Sequence, residues 1–141
     1  MKLLIKSAVK IFIIFSTALY TSISLAQNKL AIVIDDVGYH LKEDAAIFAM
    51  PREISVAIIP SAPYASQRHN QAQTQGRDIL IHMPMQPVSA VKIEDGGLHL
   101  GMSSEQVNNR VNTAKNIVNY AIGMNNHMGS AATADPQLMT Y

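Results

Sequence analysis

Apolar positions fall in short blocks separated by amphipathic or polar stretches. Residues 29–34 (KLAIVI) form a β-branched run that stops at Asp35-Asp36-Val37-Gly38. A fully apolar run ending at a polar turn reads as a buried strand of the parallel type. Residues 41–50 place Leu41, Ala45, Ala46, Phe48 and Ala49 near one helical face, and Pro51 ends that helix. Residues 54–59 (ISVAII) predict a second strand, closed by Pro60, and residues 64–75 a polar helix closed by Gly76. Residues 78–81 (DILI) predict a third strand running into His82. An irregular stretch with three glycines and two prolines covers residues 83–102, a length that in compact domains usually carries function. Ser103-Ser104-Glu105-Gln106 then fits a capping box, and Val107, Val111, Ala114 and Val118 continue as an amphipathic stripe. Residues 120–124 (YAIGM) predict a fourth strand, ending at Asn125-Asn126-His127.

The order is β-α-β-α-β-α-β, an α/β chain with parallel strands, arranged in a barrel or in a doubly wound sheet. In both architectures ligands bind at the C-terminal strand ends. The polar clusters fall there: Asp35-Asp36, Ser61, His82 and Asn125-Asn126-His127.

Composition narrows the chemistry. With no cysteine in 141 residues, a disulfide framework, a thiolate zinc site and a catalytic thiol are excluded. The net charge of +1 argues against a phosphate-matching nucleic-acid binder. The first 26 residues read as a signal peptide: Lys2, Lys6 and Lys10, then an apolar run over 11–26, then Ser24-Leu25-Ala26 before Gln27. The alternative is an uncleaved anchor, which would be the only link to a membrane. Without this segment, residues 27–141 carry eight basic and ten acidic side chains, a net charge of −2. An exported, cysteine-free domain suits a bacterial envelope compartment, and the expected location is the periplasm.

Two adjacent carboxylates repel unless a cation lies near, so Asp35-Asp36 suits a metal site with one acid free for substrate, a receiver-type or nucleotide-binding acidic site, or an ordinary turn. His82 and His127 sit on the same predicted rim. Zinc catalysis uses three protein ligands and an open position for water, and one Asp with two His makes such a set. His40 begins a helix near the Asp pair, His69 is expected on a solvated helix face, and His99 in solvent. Met83-Pro84-Met85 reads as packing beneath the cleft, and Glu94-Asp95-Gly96-Gly97 as a turn.

Residues 31–38 (AIVIDDVG), 82–87 (HMPMQP) and 123–130 (GMNNHMGS), with Thr133 and Met139 behind them, resemble the divergent polysaccharide deacetylase family. The resemblance runs through nearly all of residues 27–141 in the expected order. It implies the N-terminal part of a distorted (β/α) barrel whose later strands lie beyond the fourth. It also implies that Asp35 is the catalytic base and Asp36 a zinc ligand. Polysaccharide deacetylases carry a second histidine four residues after the first. Here His82 is followed at that spacing by Gln86, and His127 is the natural substitute. Asn125 and Asn126 are then expected to hold the oxyanion. The resulting expectation is an exported, zinc-dependent deacetylase-like protein acting on an envelope polysaccharide or oligosaccharide. The alternative is a catalytically inactive glycan- or protein-binding module on the same fold.

Overall fold

The computed structural model describes residues 28–141, so the signal-peptide expectation for residues 1–26 lies outside the described residues. Ala31–Tyr141 forms one unit, and it carries every element described. The strands are β1 (Val33–Val37), β2 (Ser55–Ile58), β3 (Ile79–Met85) and β4 (Gly123–Met128). Between them lie α1 (Leu41–Phe48), α2 (Ala65–Thr74) and α3 (Ser104–Ile117). A 3-10 turn (Ala132–Ala134) and a short α4 (Pro136–Thr140) follow.

All three strand pairings are parallel, and the sheet order is β1-β2-β3-β4. Each strand adds on the same side of its predecessor. That is the order of a barrel arc, with none of the reversal that marks a doubly wound sheet. The expected α/β class and alternation are therefore observed. Val56, Ala57, Ile58, Ile79, Ile81, Met83 and Met85 are buried, so most of the two central strands lies in the core. Ala62, Ala65 and Ala72 from and before α2, and Val107, Ala114 and Val118 from and after α3, join the same core. Burying apolar side chains of this kind is the main stabilising contribution, about 25 cal/mol per Å² removed from water.

The capping box on α3 is present. Ser103 Oγ accepts from the Gln106 N–H at 3.3 Å, and Gln106 Oε1 accepts from the Ser103 N–H at 2.8 Å. α4 starts at Asp135, whose carboxylate accepts from the Leu138 N–H at 2.7 Å, with Pro136 in the first turn.

The bounds of β1, β3 and β4 differ from the sequence reading, and the differences matter for the site. β1 starts later and runs through both aspartates to Val37. β3 continues through His82 to Met85, although Pro84 interrupts its pattern. The Pro84 carbonyl still accepts from the Leu98 N–H at 2.8 Å, so the chain beyond Pro87 returns to the strand end. β4 starts three residues later than expected and contains Asn125, Asn126 and His127. Asp35-Asp36, His82 and Asn125-Asn126-His127 thus lie within strands, while Ser61 lies just beyond β2.

Candidate functional site

In a regular strand, successive side chains point to opposite faces. Asp35 and Asp36 escape that rule. The β1–β2 register slips between Ile34 and Val37, and Asp36 has φ of +61°, in the left-handed region. Asp tolerates this conformation better than most residues, at a cost of about 1 kcal/mol or more. The slip brings both carboxylates to one rim, beside His82. Asp35 Oδ1 accepts from Asn125 Nδ2 at 2.9 Å. Asp36 Oδ1 lies 3.1 Å from His82 Nε2 and 2.8 Å from His127 Nδ1.

The two imidazoles meet through the β3–β4 register, which places His82 opposite Asn125 and Pro84 opposite His127. Asn125 and His127, two apart, share a face with His82. His82 Nε2 and His127 Nδ1 are 3.2 Å apart, with the rings edge to face. Asp36, His82 and His127 therefore each offer one atom to a common point, all within 4.8 Å of one another. His82 is buried, His127 half-buried, and the Asp36 side chain open to solvent.

Hydrogen bonding assigns the His82 tautomer. Asn125 gives its amide N–H to Asp35, so its Oδ1 is the atom facing His82 Nδ1, 2.8 Å away. That oxygen only accepts, so Nδ1 carries a proton, and Nε2 is the ring nitrogen that faces Asp36 and His127. A neutral imidazole with its far nitrogen held in this way is the usual arrangement of a metal-binding histidine. A carboxylate and two imidazole nitrogens are suitable donors for zinc, and three such ligands leave room for water.

The two asparagines expected as oxyanion donors are engaged elsewhere. The Asn125 amide links Asp35 to His82, and Asn126 Nδ2 donates to the Met128 carbonyl at 2.6 Å, tying the end of β4. Gln86 does not reach toward the histidines. Its Oε1 accepts from the Leu100 N–H at 3.0 Å and pins the long loop. His99 and His40 are exposed. His69 departs from expectation: it is buried, stacked on Tyr120 with ring centroids 5.7 Å apart, and its Nε2 accepts from the Tyr120 N–H at 3.4 Å.

Two residues reach the site that the sequence did not single out as functional. Glu94, expected only as part of a turn, brings Oε1 within 3.4 Å of His127 Nε2. Tyr39 lines a cleft of about 320 Å³ with Ser61, Lys92, Glu94 and Asp95. Burial first, and then the Glu94 charge, push the Tyr39 phenol above its ordinary value, so it stays a protonated donor. Its position after Asp35-Asp36-Val37-Gly38 was the available signal.

The sequence profile of the divergent polysaccharide deacetylase family matches residues 32–141. An uncharacterized protein of Haemophilus influenzae is 86% identical over 141 residues, which are 100% of this chain and 50% of that protein. The uncharacterized protein YibQ of Escherichia coli is 41% identical over 121 residues, 86% of this chain and 38% of that protein. The chain thus spans half or less of the length of these curated relatives. A crystal structure of an uncharacterized Agrobacterium tumefaciens protein superposes with a TM-score of 0.68 at 19% identity, covering 77% of this chain and 46% of that one. At that identity the likeness concerns the fold.

Proposed function

Because the chain belongs to the divergent polysaccharide deacetylase family, we propose that it contributes the metal-binding and base-bearing part of an exported carbohydrate deacetylase. The observation that carries this reading is the convergence of Asp36 Oδ1, His82 Nε2 and His127 Nδ1. These three would hold a divalent cation, zinc by the chemistry of the donor set. Zinc bound there supplies an acidified water and polarises the acetyl carbonyl.

The chain's own residues do the rest. Asp35 is fixed by the Asn125 amide through Oδ1, which leaves Oδ2 for the attacking water. That water's oxygen bonds to the acetyl carbon as its proton passes to Asp35. The bond from that carbon to the sugar nitrogen or oxygen then breaks, the leaving group takes the proton held by Asp35, and the acetyl group departs as acetic acid, which ionises to acetate. A sugar ring fits the cleft beside Glu94, where Tyr39 and Ser61 present hydroxyls and Lys92 an ammonium group. The substrate class is an acetylated polysaccharide or oligosaccharide of the cell envelope, reached through export by residues 1–26.

A second reading is a glycan-binding module without turnover. It is favoured by Asn125 and Asn126, whose side-chain amides are held by Asp35 and His82 and by the Met128 carbonyl. Acetate release from acetylated chitooligosaccharides and peptidoglycan fragments separates the two. The deacetylase reading expects release that is lost in Asp35→Asn. Glycan binding without release, unchanged in Asp35→Asn, establishes the second reading and rejects the first.

A further inference from the structure

One charged group stands against the centre without a complete partner. Glu94 Oε1 is 3.4 Å from His127 Nε2. Among the described residues, Glu94 Oε2 and His127 Nε2 are the buried side-chain polar atoms that lack a hydrogen bond. They belong to Glu94 and His127, whose contact runs through the other Glu94 oxygen, Oε1, and is close but not closed. Buried donors and acceptors rarely stay unpaired, and a shift of roughly half an ångström brings this pair to hydrogen-bond distance.

We propose that Glu94 is a positioning residue for His127: its carboxylate accepts the Nε2 proton and so keeps the Nδ1 lone pair directed at Asp36 and His82. This inference rests on the metal reading of the site. A metal-bound imidazole has a more acidic far N–H, and a carboxylate accepts from it with a charge-assisted bond. Without Glu94, His127 has only Asp36 as a strong partner, on the nitrogen that must stay free for the metal. Glu94 is to His127 what Asn125 is to His82.

The location adds a consequence. Glu94 lies in the wall shared by two cavities, the 320 Å³ cleft with Tyr39 and Ser61 and a larger one of about 440 Å³ bordered by Gln86, His99 and Arg110. Closing the Glu94–His127 pair draws residues 92–95 inward, so filling the centre reshapes the cleft beside it.

Zinc titration of the full chain tests this, together with the visible spectrum of the cobalt-substituted protein and hydrogen exchange over residues 92–97. The isosteric Glu94→Gln should weaken zinc binding about tenfold and Glu94→Ala up to about a hundredfold. Both should shift the cobalt bands, and zinc should slow exchange in the wild type far more than in either variant. Circular dichroism identifies any variant that fails to fold, and Glu94→Gln, which keeps the side-chain shape, then decides. Zinc binding by the wild type with unchanged affinity, spectrum and exchange in Glu94→Gln overturns the role of Glu94 and leaves the metal reading standing. Absence of zinc binding in the wild type overturns both.

Discussion

His82 Nδ1 and Asn125 Oδ1 lie 2.8 Å apart, and this contact joins a buried ring on β3 to the side chain that also holds Asp35 on β1. Asp35 and His82, the proposed base and one proposed metal ligand, are thereby positioned by one amide. Asn125→Ala removes both contacts. It leaves the buried His82 N–H without an acceptor, at a stability cost of about 1–3 kcal/mol, and should weaken zinc binding about 10–100-fold. Denaturant unfolding and zinc titration measure the two effects separately.

A second prediction concerns Asp44. Its Oδ2 accepts from Arg68 Nε at 2.9 Å and from the Gly38 N–H at 3.2 Å, with both charged side chains buried. Arg68 also donates to the Leu41 carbonyl and to Gln71. Gly38, just after the aspartate pair, has φ of +120°, and a Cβ there would sit 2.9 Å from Ala62 Cβ. Removing one member of a buried pair strands the other charge. Asp44→Ala should therefore cost about 3–5 kcal/mol, and an unfolding midpoint within error of wild type would refute this.

Much of this was legible and some was not, for physical reasons. β2 and α3 carried strong local signals, an apolar β-branched block and a capping box with a stripe, and both appear where expected. The aspartates and histidines were recognisable as residue types able to build one centre. Their convergence depends on the β1 bulge and the β3–β4 register, neither of which has a local signal. β3 and β4 were ended too early because His82, Pro84, Asn125 and His127 break the apolar pattern, whereas the parallel ladder carries them. His69 is expected on a solvated face but is buried for another reason: its partner, Tyr120, lies 51 residues away. α4 was missed, although Asp135-Pro136 is a recognisable helix start.

Burial lowers the affinity of His69 for a proton, and its Nε2 must stay unprotonated to accept the Tyr120 N–H. The unfolded chain therefore binds a proton more readily. Its stabilising effect is complete above about pH 6.5, the unperturbed value, and declines as pH falls below it. His69→Gln should flatten the His69-dependent part of that decline. Thermal unfolding of both forms across pH 5 to 8 provides the comparison.

Among the described residues β1 and β4 are the edges of the sheet, and they expose Ile32, Val33, Ile122, Met124 and Met128 on or beside their strands. An apolar, unpaired strand edge recruits another strand. The chain by itself should self-associate as concentration rises, and Met124→Lys should reduce this. Light scattering during size-exclusion chromatography tests it, and a monomer at all concentrations would contradict it.

The central claim is that Asp36, His82 and His127 form a metal centre. The most direct test is elemental mass spectrometry of the purified chain beside folded His82→Ala and His127→Ala variants. The account predicts about one zinc per chain in the wild type, for a single set of three ligands, and loss of that zinc in each variant. Wild-type protein that is folded and free of metal after zinc loading, or zinc retained in both variants, would contradict it.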